Sequence, residues 1–104
     1  MITTITRFAL PHRFTHEEAK QAFLASAPKF RETPGLLRKF YLLSEDGLYG
    51  GGVYLWQTRD AAERVFTPAW HAFIREKYGS EATVSWFDTP VVLDNLVGET
   101  LSYE

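Results

Sequence analysis

The segment from Leu36 to Gln57, LLRKFYLLSEDGLYGGGVYLWQ, decides the fold of this chain. It contains two apolar, aromatic-rich runs separated by Glu45-Asp46-Gly47. An Asp-Gly pair between such runs is among the strongest short-range signals of a β-hairpin. We therefore predict that residues 36–44 and 48–57 form two neighbouring antiparallel strands.

Three consecutive glycines, Gly50 to Gly52, stand near the start of the second of these strands. Clustered glycines can cradle a phosphate, but such a loop leads from a strand into a helix N-terminus and carries a lysine. These glycines lead into a strand and lack that lysine. We interpret them as bulge or clearance positions in a sheet, with the shaping of a cavity wall as the alternative.

A strand and a helix are predicted before the hairpin. Residues 2–10 alternate between two sides and are rich in β-branched residues, which is typical of a strand, and Pro11 ends it. The sequence Thr15-His16-Glu17-Glu18 forms a capping box, and alanines and phenylalanines recur at helical spacing after it. Pro34-Gly35 marks the exit of this helix.

A second helix and a fourth strand are predicted after the hairpin. The pattern from Asp60 to Glu63 indicates a helix start. Because a proline inside a helix costs about 3 kcal/mol but is tolerated at the first position, Thr67-Pro68 should begin a new segment and split the helix. Residues 82–92 alternate like a strand, with an edge or bend at Pro90.

The predicted order is β-α-β-β-α-β, which is the α+β, ferredoxin-like plan. It places two helices on one face of an antiparallel four-stranded sheet. At 104 residues the chain is expected to be a single domain, 1–104, with no spare element to cover the other face. A homodimer is therefore predicted. Leu101 and Tyr103 are candidates for a short further strand.

The composition excludes several classes of partner. Net charge is −2, with 11 basic and 13 acidic residues scattered along the chain, so neither nucleic acid nor a membrane surface is an expected partner. Cysteine is absent, which fits the reducing cytoplasm, and no apolar run reaches the roughly 18 residues of a membrane span. We expect a soluble, unprocessed cytoplasmic protein. Aromatic residues reach 15%, which suggests a pocket or a subunit interface.

Three segments resemble the YdhR family of bacterial monooxygenases: Pro34 to Leu43 (PGLLRKFYLL), Gly51 to Trp56 (GGVYLW) and Pro90 to Asn95 (PVVLDN). The likeness extends over most of the chain. It implies a dimeric α/β barrel, in which the sheets of two ferredoxin-like subunits pack face to face. It also implies a cavity between sheet and helices, where related cofactor-free oxygenases bind polycyclic aromatic substrates.

Trp70 and His71, in the second half of the split helix, are the strongest candidates for chemistry. Histidine titrates near neutral pH and can act as a general base, while tryptophan can stack on a flat substrate. The alternative is that His71 is a residue at the boundary of an apolar helix face and that Trp70 is core. If the chain is an oxygenase, His71 would be the base and Arg38 the group that stabilises an enolate or phenolate.

Further aromatic residues form a candidate wall for a substrate-binding pocket. Tyr54 and Trp56 share one side of the third strand, and Lys39 and Tyr41 share one side of the second, with Trp86 on the fourth. A pocket needs apolar walls with a few polar groups. The same rings could instead fill a dimer interface, because the sequence does not say which sheet face the helices cover.

The function predicted first is a cofactor-independent monooxygenase that oxidises a small, electron-rich aromatic or quinol-like compound. No metal site is predicted, since His12 and His16 lack carboxylate partners at ligand spacing, and no cofactor. Haem-degrading relatives of the fold use an asparagine, a tryptophan and a histidine together, and here the only asparagine is Asn95. The alternatives are a non-catalytic dimer that binds a small aromatic ligand and, less favoured, an isomerase or decarboxylase.

Overall fold

Residues 1–102, which the computed structural model describes, form six strands and three helices. In chain order they are β1 Ile2–Ala9, α1 His16–Arg31, β2 Leu36–Leu43, β3 Tyr49–Trp56, α2 Arg59–Glu63, α3 Pro68–Tyr78, β4 Thr83–Asp88, β5 Val91–Asp94 and β6 Glu99–Ser102. Strands β1 to β4 form one antiparallel sheet in the order β2-β3-β1-β4. This is the predicted ferredoxin-like arrangement, and the prediction is confirmed.

The hairpin turn between β2 and β3 has the predicted geometry. The Gly47 N–H donates to the Ser44 carbonyl, and Gly47 adopts φ 74°, a left-handed conformation that favours glycine. The turn also holds the β1–α1 connection, because the N–H groups of Leu10 and Phe14 donate to the carbonyls of Leu48 and Gly47. The hairpin therefore fixes the position of the first helix as well as the strand register.

Helix boundaries follow the capping signals closely. At α1 the Thr15 hydroxyl accepts from the Glu18 N–H at 3.1 Å, and the Glu18 carboxylate accepts from the Thr15 N–H at 3.1 Å. The predicted split at Pro68 is confirmed, with Thr67 as the cap of α3. The cap of α2 lies two residues before the predicted one, because the Thr58 hydroxyl, rather than Asp60, caps the helix.

The predicted fourth strand over residues 82–92 is in fact two strands. β4 ends at Asp88, Pro90 intervenes, and β5 turns away to pair with β6 as a separate hairpin. A proline cannot donate to a sheet ladder, which explains the break. Leu101 lies in β6 as predicted, and Tyr103 lies outside the described residues.

The helices cover one face of the sheet, and a cluster of aromatic rings lies between. Phe66, in the link between α2 and α3, packs edge-on against Tyr54, Trp56, Trp70 and Trp86, with ring centroids 4.9–6.0 Å apart. Trp56 is completely buried, and its indole N–H donates to the Thr4 hydroxyl at 2.8 Å. The core thus forms on the side of the sheet that faces α3.

The glycines of β3 are clearance positions and not bulges. The β1–β3 register runs without a shift from Ile2↔Trp56 to Ala9↔Tyr49. A Cβ on Gly51 would collide with the carbonyl oxygen of Thr6 on β1.

No helix among residues 1–102 is long and apolar enough to cross a membrane.

Candidate active site

A cavity of about 240 Å³ lies between α1, α3 and the sheet. Aromatic side chains from all three form most of its wall, and lysines interrupt it. Its lining residues are Thr6, Phe8, Phe23, Ala25, Ser26, Lys29, Phe30, Lys39, Tyr41, Gly51, Tyr54, Trp70, Phe73, Ile74, Lys77 and Tyr78. Apolar walls with a few polar groups are typical of small-molecule sites.

Lys39 projects from β2 into this cavity and is enclosed by rings. Its Nζ lies 3.5 Å from the ring centroid of Phe30, 3.9 Å from that of Tyr41 and 4.6 Å from that of Tyr54. Ring faces attract a cation, so the site can hold the ammonium form without a carboxylate. The amine nevertheless lies where little water reaches it.

The environment lowers the pKa of Lys39 from 10.5 to about 7. Burial is the main cause, and the positive charges of Lys29 and Lys77 add to it. A large fraction of Lys39 is therefore the free amine at neutral pH. Such an amine can accept a proton from a bound molecule, which an ordinary surface lysine at this pH cannot do.

Gly52 makes room for this lysine. A Cβ on Gly52 would lie 3.1 Å from Cε1 of Tyr54, 3.2 Å from the carbonyl oxygen of Phe40 and 3.5 Å from Cε of Lys39. Because Gly52 lies opposite Tyr41 in the β2–β3 register, any side chain there would enter the space that Lys39 and Tyr54 occupy. The glycine run thus shapes the floor of the cavity.

Tyr41 is held in a fixed hydrogen-bond direction. The Ser26 hydroxyl donates to the Phe23 carbonyl at 3.0 Å, and its oxygen lies 2.9 Å from the Tyr41 hydroxyl. Since the single Ser26 proton is already used, the Tyr41 hydroxyl must donate to Ser26. Tyr41 also stacks on Phe23, with centroids 5.3 Å apart, so its ring is a rigid part of the wall.

Tyr54 is the second phenol of the cavity. Burial raises the pKa of Tyr54 well above its usual range, so the side chain stays protonated at physiological pH. Its ring is only 3% exposed and stacks parallel to Trp56, with centroids 5.6 Å apart. Tyr54 can therefore donate a hydrogen bond but cannot act as a base.

The comparison with known protein families agrees with this architecture. The family described as "Putative mono-oxygenase ydhR" matches residues 5–91, which include every residue that lines the cavity. The chain belongs to the YdhR family. No curated protein sequence matches this chain.

Two solved structures that share the fold are described as oxygenases. SnoaB from Streptomyces nogalater, a cofactor-independent oxygenase, superposes with a TM-score of 0.63 at 23% identity, covering 88% of this chain and 95% of SnoaB. A "putative antibiotic biosynthesis monooxygenase" from Deinococcus radiodurans superposes with a TM-score of 0.65 at 13% identity, covering 90% of this chain and 97% of that one. At these identities the likeness establishes a shared fold.

Three of the five predicted substrate-binding residues line the cavity of this YdhR family member: Trp70, Tyr54 and Tyr41. Trp56 and Trp86 lie outside it. Trp56 is sealed in the core by its bond to Thr4, and the ring of Trp86 lies under the Arg59 guanidinium, whose Cζ is 4.4 Å from the ring centroid. All five rings are on the helix side of the sheet or on α3, so none is free to fill an interface on the open face.

The two predicted catalytic residues do not line the cavity. Arg38 precedes Lys39, so it points to the opposite sheet face, where its Nη2 pairs with Asp94 Oδ2 at 2.7 Å. The His71 ring lies beside the Trp70 ring, with centroids 4.9 Å apart. His71 stands two positions before Phe73 on α3, so the two side chains project about 200° apart around the helix axis. Phe73 lines the cavity and His71 does not. The catalytic roles of Arg38 and His71 stay predictions, and neither side chain shares the cavity with Lys39.

Lys39 belongs to the wall predicted from the sequence, but no catalytic role was predicted for it. It stands two residues before Tyr41, so both side chains point to the same side of β2. A lysine facing inward on a strand is rare unless it has a partner or a role.

Among residues 1–102, no group of three histidine, aspartate or glutamate side chains is placed to hold a metal ion.

Proposed function

We propose that this protein is a cofactor-independent monooxygenase that oxidises a small aromatic, quinol-like substrate inside the cavity, with Lys39 as the base. The observation that carries the proposal is an amine with a pKa of about 7 enclosed by the rings of Phe30, Tyr41 and Tyr54. Membership in a mono-oxygenase family supports it, as does the fold shared with SnoaB, a cofactor-independent oxygenase.

The size of the cavity favours a small substrate. Its volume of about 240 Å³ lies below the roughly 300–1,000 Å³ typical of sites for drug-sized ligands. A flat molecule of two or three fused rings has the right shape for a slot between the Tyr41 and Tyr54 rings on the sheet and Phe30, Phe73 and Trp70 on the helices. Such a molecule would also displace water from the amine.

The proposed reaction converts a ring CH₂ that is acidified by a neighbouring aryl ketone into a carbonyl. Lys39 takes a proton from this carbon, and the resulting enolate passes one electron to O₂. The two radicals combine to form a C–O bond, and the peroxide then loses water as its O–O bond breaks. One oxygen atom stays in the new carbonyl and the other leaves as water, so the substrate supplies all four electrons that reduce O₂.

The protein's part in this chemistry is acid–base and electrostatic. Lys39 in its protonated form, after it has accepted the proton, lies beside the developing enolate and stabilises it. The Tyr54 hydroxyl is available to donate a hydrogen bond to the ketone oxygen, since its high pKa keeps it protonated. Trp70 and Phe30 provide stacking surfaces that hold the ring plane.

His71 is the alternative base. Its position outside the cavity lining favours Lys39, because a base must come within hydrogen-bond reach of the proton that it removes. Matched variants separate the two. In Lys39→Met the amine is lost while most of the side-chain volume stays, and in His71→Gln only the imidazole is lost.

The deciding experiment is oxygen uptake by purified protein with a panel of anthrones and hydroquinones, after treatment with a chelator. We expect uptake with at least one of the panel, its loss in Lys39→Met and its retention in His71→Gln. Loss in His71→Gln with retention in Lys39→Met would assign the base to His71. If wild-type protein consumes no oxygen above background but its melting temperature rises with the same compounds, it is a binding protein and the oxygenase proposal is wrong.

We also propose that a second copy of the chain covers the open sheet face, as in a dimeric α/β barrel. Large apolar side chains there are exposed, with Phe40 at 57%, Phe87 at 50% and Leu42 at 40%. The β5–β6 hairpin, which the Arg38–Asp94 ion pair links to β2, carries further exposed apolar residues at Val91 and Leu93. Patches of this kind mark interaction sites.

Sedimentation analysis tests the dimer. Wild-type protein should sediment as a dimer, and Phe40→Asp, which replaces the most exposed of these three apolar side chains with a charge, should sediment as a monomer. Leu24→Asp is the matched control, because Leu24 is 55% exposed on α1, away from this face. A monomeric wild-type protein at micromolar concentration contradicts the proposal.

A further inference from the structure

Three lysines from three different elements border the cavity: Lys29 on α1, Lys39 on β2 and Lys77 on α3. No aspartate or glutamate lines it. None of the three lysines takes part in an ion pair within residues 1–102. The cavity is thus a cationic site in a protein whose net charge is −2.

Two phenylalanine rings connect these lysines. Phe30 has the Nζ of Lys39 at 3.5 Å from its centroid and that of Lys29 at 5.7 Å. Phe73 has the Nζ of Lys29 at 4.7 Å and that of Lys77 at 5.6 Å. Lys29 and Lys77 are exposed at the mouth, and Lys39 is half-buried behind them.

Three of the seven arginines form ion pairs within residues 1–102. Arg38, Arg59 and Arg75 each have a carboxylate partner at 2.7–3.1 Å. The three cavity lysines contact aromatic ring faces and, among the described residues, no carboxylate. The positive charges of Lys29 and Lys77 contribute to the lowered pKa of Lys39. Like charges held together without a counterion repel one another, and an incoming anion relieves that repulsion.

We propose that the substrate is an aromatic acid, whose carboxylate lies between Lys29 and Lys77 at the mouth while its ring system enters the cavity beyond Phe73. This inference rests on the proposed function in taking the cavity as the substrate site. Beyond the proposed function, it specifies that the substrate carries a negative charge. The neutralised mouth lysines orient the ring so that its acidic carbon approaches Lys39.

The test is a binding titration without turnover, using 2-naphthoate and its neutral analogue 2-naphthamide, followed through the fluorescence of Trp70 and its neighbours. Wild-type protein should bind 2-naphthoate more tightly than 2-naphthamide. Lys29→Gln and Lys77→Gln should each weaken naphthoate binding by about two- to five-fold, the range of an exposed ion pair, and leave naphthamide binding unchanged. Added salt should weaken the binding of naphthoate and leave the binding of naphthamide unchanged.

The control is Lys20→Gln, which removes the same charge from an exposed position of α1 that does not line the cavity. Lys29→Arg, which keeps the charge, should restore binding. The proposal is overturned if naphthamide binds as tightly as naphthoate, if neither binds at millimolar concentration, or if Lys20→Gln weakens binding as much as Lys29→Gln. Naphthoate binding without oxygen uptake in the anthrone assay would remove the oxygenase function and leave the anion site standing.

Discussion

The Nζ of Lys39 lies 3.5 Å from the centroid of the Phe30 ring, so an amine of the sheet is covered by a side chain of helix α1. The ring face favours the ammonium form, whereas the loss of water and the nearby lysines disfavour it. Burial, together with the charges of Lys29 and Lys77, lowers the pKa of Lys39 to about 7. This one contact joins the fold to the chemistry, because it exists only when α1 packs on β2.

The pH dependence of oxygen uptake should follow Lys39. The free amine is the base, so kcat/KM should rise with pH through a midpoint of about 7 and level off above it. Lys77→Gln should move the midpoint to higher pH, because it removes a positive charge that lowers the pKa of Lys39. Lys20→Gln should leave the midpoint in place. A profile that does not respond to Lys77→Gln would argue against Lys39 as the titrating group.

Lys39→Met should stabilise the protein at low and neutral pH. The pKa of Lys39 is depressed in the folded state, so between about pH 7 and 10.5 the unfolded chain binds more protons and wild-type stability rises with pH. The variant lacks this slope. We expect it to exceed wild type by about 1.4 kcal/mol or more at pH 6, the free energy of one pKa unit, since the shift is larger than that. The gap should narrow towards pH 10.

Urea unfolding at pH 6, 8 and 9.5, at one protein concentration, measures this gap. Lys20→Met is the matched control and should show the wild-type slope, because Lys20 is exposed. A gap that stays constant with pH would mean that Lys39 titrates normally in the folded state.

Gly52→Ala should damage the site more than the fold. The new methyl group would press on the Tyr54 ring and reach the Lys39 side chain, and we expect a stability cost of about 1–3 kcal/mol, as for other overpacked cores. Oxygen uptake should fall and its pH midpoint should move, because Lys39 is displaced from its ring contacts. Gly50→Ala presses on Phe8 instead, at 3.0 Å, and should cost similar stability without moving the midpoint.

Arg38→Gln should loosen the C-terminal hairpin and leave the chemistry intact. The Arg38 guanidinium beside Asp94 lowers the pKa of that carboxyl, and this pair links β2 to β5 across 56 positions of sequence. Hydrogen exchange in residues 91–102 should become faster in the variant. Oxygen uptake should be unchanged, and a loss of uptake with unaltered exchange would restore the catalytic role predicted for Arg38.

Local signals in the sequence were sufficient for most of the fold. The Asp46-Gly47 turn, the Thr15 capping box and the Thr67-Pro68 helix start each depend on a few adjacent residues, and all three form as predicted. They are predictable because a turn or cap is a short-range hydrogen-bond problem. Pro90 marked a bend, but the departure of β5 from the sheet depends on its pairing with β6, which is not a local property.

The site depended on the packing of distant elements. Alternation in β2 places Lys39 and Tyr41 on one side and Arg38 on the other, but a period of two residues does not say which side the helices cover. Once α1 and α3 pack on the Lys39 side, Phe30 covers that amine and the positive charges of Lys29 and Lys77 act on it, while Arg38 on the other side pairs with Asp94. Local sequence signals thus specify the hairpin, the first three strands and the caps of α1 and α3. Which cation loses its water depends on the tertiary structure, because burial is set by contacts between residues far apart in the chain.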